Sequence, residues 1–142
     1  MLLPVTSLLA AALALLLFRL SLRAIKARRR AQVPVGVTQD EGLLRAVRAQ
    51  GNFTEYMPLT LLLLALCELN GVTAWWLGPV ALAILAGRVM HAHSLLTYET
   101  AHATAKGMGR FVWRVRGMTI TLFALPILAA TLIGALAIRS LG

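Results

Sequence analysis

Leu2 to Phe18 reads LLPVTSLLAAALALLLF, a run without a single charge, and Arg19, Arg23, Lys26, Arg28, Arg29 and Arg30 all follow it. With the flank Arg19-Leu20-Ser21-Leu22 the run approaches the ~20 residues a helix needs to cross a bilayer core of about 30 Å. A cleavable leader carries its positive charge ahead of the apolar stretch, so the reversed order here predicts a retained membrane anchor. The rest of the chain agrees. Its 142 residues are 59% hydrophobic and 13% charged, with a mean hydropathy of +0.79, too apolar for a soluble domain.

Three more segments follow. LLRAVRAQGNFTEYMPLTLLLLALCEL begins near Leu43, polar in its first half and apolar in its second, after a loop over residues 33 to 42 marked by Pro34, Gly36 and Gly42. Asn70-Gly71 is a turn signal. VTAWWLGPVALAILAG comes next, with Trp75 and Trp76 where an interfacial aromatic belt belongs. The fourth is GMTITLFALPILAATLIGALAI, residues 117 to 138, in which Pro126 is tolerable as a membrane-helix kink. The expected fold is therefore an all-α integral membrane bundle of four transmembrane helices, about 3–30, 43–69, 73–97 and 109–139, as one domain over 1–142.

A net charge of +9 fits nucleic acid in principle, but the cations cluster beside apolar runs, which assigns them to a membrane surface. Eight of the fourteen Lys and Arg residues lie from Arg19 to Arg48 and five from Arg88 to Arg116, leaving only Arg139 on the other side. By the positive-inside rule both basic connections face the cytoplasm, and both termini and Glu68 face out. The one cysteine, Cys67, lies in an apolar run and reads as a buried, inert thiol.

Ionisable groups at membrane depth are costly and tend to pair or to line a cavity. At about 100° per residue, Arg48, Asn52 and Glu55 share one narrow face of the second helix, with Arg45 and Tyr56 on its flank. Spacing alone leaves two readings open: a ligand site, or an Arg48–Glu55 ion pair that staples helices. On the third helix Arg88, His91, Leu95, Glu99 and His102 share a face and His93 points nearly opposite. Arg88 and His91 fall at the membrane level of Arg48 and Asn52, so a common polar pocket is geometrically accessible. Glu99 and His102 have the spacing of carboxylate di-metal bundles, but the chain supplies too few further carboxylates, so no metal is expected. Around Phe111 and Trp113, Arg110 and Arg114 read as snorkelling anchors, while Arg116 lies nearest the fourth span.

The string Arg48-Ala49-Gln50-x-Asn52-x-x-Glu55-Tyr56-x-Pro58 resembles the second-helix signature of the MAPEG family, membrane-associated proteins in eicosanoid and glutathione metabolism. The basic end of helix one, the short hairpin, Gly87-Arg88 with His91, and Arg116-Gly117-Met118-Thr119 extend the likeness over most of the chain. The resemblance implies a left-handed bundle assembled as a homotrimer, with glutathione held between subunits near the cytoplasmic side. It implies that Arg48, Gln50, Asn52, Glu55, Tyr56, Arg88 and His91 bind glutathione, with one of Arg28, Arg29 or Arg30, Arg28 foremost, adding a basic group. Arg116 matches the arginine that stabilises the thiolate in the family's enzymes.

Glutathione's two carboxylates, ammonium and thiol suit arginines, Glu55 and a guanidinium respectively. Leu95 departs from the pattern, standing where several eukaryotic members have tyrosine, and the connection between helices three and four is longer and more polar than usual. The expected function is a glutathione-dependent transferase or peroxidase of a bacterial inner membrane, acting on hydrophobic electrophiles or lipid hydroperoxides from the bilayer. The alternative is a non-catalytic protein holding a lipid or another anion in the same pocket. A channel or transporter would need a polar stripe through the outer halves of the helices, which are nearly all apolar.

Overall fold

The computed structural model describes residues 2–36, 39–97 and 108–141, with side chains from 112 onward in the last segment, so Glu99, His102 and the Arg110 side chain lie outside it. Four helices follow in order: α1 Pro4–Ala31, α2 Glu41–Leu69, α3 Ala74–Thr97 and α4 Met108–Leu141. Three of them are long and apolar enough on their own to cross a membrane, over Pro4–Ala31, Ala74–Thr97 and Val112–Leu141. The first half of α2 carries Arg45, Arg48 and Glu55, and α2 is not among those three. Together the helices form a four-helix membrane bundle.

Local chemistry sets the ends. Pro4 opens α1, where its missing N–H costs nothing, and Arg28, Arg29 and Arg30 occupy its last turn, favourable to the carbonyl end of the helix. Gln32 closes α1 in the left-handed region at φ 54, its N–H returning to the Arg28 and Arg29 carbonyls. Helix α2 starts at Glu41, earlier than the apolar pattern near Leu43 predicts, because Asp40 is an N-cap whose Oδ1 accepts from Leu43 N at 2.6 Å. Gly71, at φ 84, makes the tight turn into α3.

Helices α2 and α3 form the centre. Each touches α1 and α4 as well as the other, while α1 and α4 do not meet among the described residues. Burial follows the helical period: Leu9, Leu13 and Leu20 on α1, Phe53, Met57 and Leu64 on α2, Leu77, Ile84 and Leu95 on α3, Leu128 on α4. Lipid is as apolar as these side chains, so close van der Waals fit has to carry the packing, and small residues at crossings gain weight. The α3–α4 crossing is built that way. A Cβ on Gly117 would lie 2.5 Å from the Gly87 carbonyl oxygen and 2.8 Å from His91 N, so only glycine allows the backbones so near.

At the end away from the basic clusters, polar ties replace apolar fit. Glu68, next to last in α2, caps α1, which has no side-chain cap of its own. Its Oε1 accepts from Val5 N at 3.0 Å, and its Oε2 accepts from Thr6 N at 3.0 Å and Thr6 Oγ1 at 2.7 Å. Trp76 Nε1 donates to Thr131 Oγ1 at 3.2 Å and Arg139 Nη1 to Asn70 Oδ1 at 3.2 Å, tying α4 to the α2–α3 turn.

Candidate functional site

The glycine crossing sets what stands beside it. Arg88 follows Gly87 and is 0% exposed, the largest fully buried side chain of the bundle. Its Nη2 donates to Asn52 Oδ1 on α2 at 2.8 Å and its Nη1 to Thr121 Oγ1 on α4 at 3.4 Å. The guanidinium carbon lies 5.9 Å from the centroid of the Phe53 ring, whose electron-rich face favours a cation. Nε is buried with no partner. One cation thus joins three helices through neutral oxygens and an aromatic face. Arg88 and Asn52, expected at one membrane level where a common polar pocket is accessible, are bonded directly. Arg88 therefore presents no surface of its own on the single chain.

That bond decides what Asn52 can offer. Its carbonyl oxygen accepts from Arg88, and its Nδ2 faces Met118 Sδ at 4.0 Å, a weak acceptor. The half-buried amide therefore has donor capacity to give to a carboxylate or carbonyl. Two turns of α2 separate Arg48 from Glu55; both are exposed on the single chain, and they form no ion pair with each other among the described residues. Tyr56 is half-buried and packs on the edge of the core.

His91 is buried on the same face of α3 as Arg88 and Leu95, while His93 is exposed. The His91 Nδ1 lies 3.3 Å from the Arg114 carbonyl oxygen, which can only accept, so Nδ1 carries a proton. Gln50, half a turn from the Arg48 stripe, donates from Nε2 to Ser21 Oγ on α1 at 3.0 Å. Arg28 Nη1 donates to the Gly36 carbonyl at 2.7 Å, folding the α1–α2 loop back on the helix. Arg116 is exposed on α4, its guanidinium carbon 6.0 Å from the Trp113 ring centroid. Among the described residues of the single chain, Arg88 is the centre of what is brought together: it is bonded to Asn52 and lies within electrostatic reach of Tyr56 and His91, whereas Gln50, Arg28 and Arg116 hold separate partners.

Thr121 and Phe53, which contact Arg88, and Ser21, which accepts from Gln50, are not among the residues singled out from sequence. Thr121 had a usable signal. It stands four residues after Gly117, and its Oγ1 also donates to the Gly117 carbonyl at 3.0 Å, a common resting place for a threonine in an apolar helix. Ser21 and Phe53 had none, since each acquires its partner only through tertiary contact.

Residues 6–134 match the model of the MAPEG family. The inner membrane protein YecN of Escherichia coli strain K12 is 33% identical over 121 residues, which cover 85% of this chain and 84% of that protein. YecN of Escherichia coli O6:H1 aligns with the same figures.

Proposed function

We propose that this chain, which belongs to the MAPEG family, is a glutathione-dependent transferase or peroxidase whose site is completed between subunits of a homotrimer. Glu55 carries the reading. It stands fourteen residues from the Leu69 end of α2, about 21 Å along the axis and so inside a hydrocarbon core of about 30 Å, yet it is exposed on the single bundle. A charge facing lipid is costly, about 2.5–3.5 kcal/mol at the bilayer centre and less toward the interface, which favours a neighbouring subunit covering it and a cation meeting it.

Glutathione matches what such a cleft would present. Its ammonium suits Glu55, its carboxylates suit Arg48, the Asn52 amide donor and a basic group such as Arg28, and Arg116 would steady its thiolate. His91, Gln50 and Tyr56 would line the same cleft. Hydrophobic electrophiles or lipid hydroperoxides would enter from the bilayer. The basic ends of the helices are assigned to the cytoplasm by charge, and the membrane to the inner one, as in the YecN relatives.

A second reading rests on Arg116. Its exposure and its place over Trp113 suit an interfacial anchor, in which case the cleft binds a lipid or another anion without chemistry. Calorimetry with detergent-purified protein separates the readings. Wild type should bind glutathione, and Glu55→Gln should bind it about ten- to hundred-fold more weakly, the loss of a charged hydrogen bond of about 1.5–3 kcal/mol. Arg116→Ala should keep most of the affinity but lose the thiolate absorbance and the turnover of a generic electrophile. No binding by wild type would remove glutathione. Binding with no thiolate signal would leave the non-catalytic reading.

A further inference from the structure

Arg88 and Arg19 lie at the same depth and meet opposite fates. Arg88 is fourteen residues into α3 and Arg19 fifteen into α1, about 21 and 22 Å from helix ends that share one membrane face, marked by Trp75, Trp76 and the Glu68 cap. Against about 30 Å of hydrocarbon, both stand roughly 8 Å inside the far boundary. Arg88 turns inward onto Asn52, Thr121 and Phe53. Arg19 turns outward, exposed, and has no hydrogen-bond or ion-pair partner among the described residues.

Three further cations continue from it. Arg19, Arg23, Lys26 and Arg30 fall within about 60° of one another around α1, all four exposed, and the row above them on the same face is apolar, with Leu8 75% and Leu15 69% exposed. Arg28, bonded to Gly36, points away from this face. Side chains of a helix lean toward its N-terminus, which for α1 is the opposite membrane face, so the Arg19 stem leans into hydrocarbon and not toward water. Snorkelling is therefore hardest for the residue that needs it most, and the counter-charge has to come down to meet it.

We infer that this face of α1 is a binding site for an anionic phospholipid of the leaflet at the basic end, its phosphate drawn below the headgroup plane between Arg19 and Arg23, with Lys26 and Arg30 adding to the positive field around the headgroup. The acyl chains run along the apolar row toward Leu15. The successive cations rise about 4.5–6 Å apart, close enough for neighbouring pairs to share one phosphate. An anionic lipid is favoured over a zwitterionic one because four cations stand here with no carboxylate paired to them, and each cation beside an anionic surface strengthens attraction about five-fold.

The test is native mass spectrometry of the full-length protein from mild detergent, titrated with phosphatidylglycerol or with phosphatidylcholine of the same chains. Wild type should retain phosphatidylglycerol in preference. Arg19→Gln and Arg23→Gln should each weaken that retention about five-fold, and Arg29→Gln, about 90° round the helix, should change it little. Helical content and assembly state of each variant are read alongside. Equal retention of both lipids, or equal losses in all three variants, would overturn the inference. So would an Arg19 variant that dissociates into smaller assemblies while its lipid retention stays unchanged, since the row would then be a contact between copies of the chain. None of these readouts uses glutathione, so they stand apart from the proposed chemistry.

Discussion

Gly117→Ala replaces a hydrogen by a methyl group at the close crossing of α3 and α4. The new Cβ would stand 2.5 Å from the Gly87 oxygen, 2.8 Å from His91 N and 3.0 Å from His91 Cβ. Two of these neighbours are backbone, which cannot rotate away, and comfortable contacts to carbon begin near 3.5 Å. The helices must therefore separate by roughly half an ångström or more, at an overpacking cost of about 1–3 kcal/mol. Alanine returns up to ~1 kcal/mol as a better helix former, so the net loss should be about 1–2 kcal/mol. Gly134→Ala is the comparison, because its Cβ meets nothing within 4 Å and only the helical gain remains. Reversible unfolding by dodecyl sulfate in mixed micelles, followed by circular dichroism, should move the two midpoints in opposite directions. The crossing also fixes the Arg88–Thr121 bond, already 3.4 Å long, so the Gly117 variant should lose ligand affinity beyond its loss of stability. A Gly117→Ala protein as stable as Gly134→Ala would refute the close backbone contact and the placement of the polar layer that depends on it.

Glu68→Gln should destabilise the bundle by about 1 kcal/mol by removing the negative charge from the N-terminus of α1, and amide exchange at Val5 and Thr6 should quicken relative to wild type; unchanged protection there would refute the cap. A double-mutant cycle of Arg88→Met and Asn52→Leu should give a coupling of about 1.5–3 kcal/mol, the range for a hydrogen bond to a charged group, whereas additive effects would mean the two act independently. A cysteine at Gly36, in the α1–α2 loop, should resist an impermeant thiol reagent in intact cells; ready labelling would reverse the assigned orientation.

Helical period made much of this legible before any coordinates. It separated Arg88 and His91 from His93, because two residues, about 200° round the helix, carry a side chain from the bundle interior to nearly the opposite side. It placed Asn52 on a face with Arg48 and Glu55, but a shared face on one helix says nothing about which neighbour covers it. In the bundle that face straddles an edge: Asn52 turns to α3, while Arg48 and Glu55 stay outside. That α1 and α4 do not meet among the described residues was likewise invisible, since four apolar stripes fit a square arrangement as well as one centred on α2 and α3. Glu68 was expected at the far membrane face, and its task as the cap of α1 joins groups 62 and 63 residues apart, a distance no local pattern encodes.

That separation sets an order of events during synthesis. Helix α1 leaves the ribosome first, with its leading N–H groups unsatisfied, and the carboxylate that answers them is made only at the end of α2. At ~5–20 residues per second the interval is about 3–12 s. Until then α1 sits in the membrane as a lone span whose leading turn must stay within reach of water, which holds it at one depth and prevents it from sliding inward. Arrival of Glu68 ends that dependence on water and closes the first hairpin, so α3 is delivered against a pair of helices already in register.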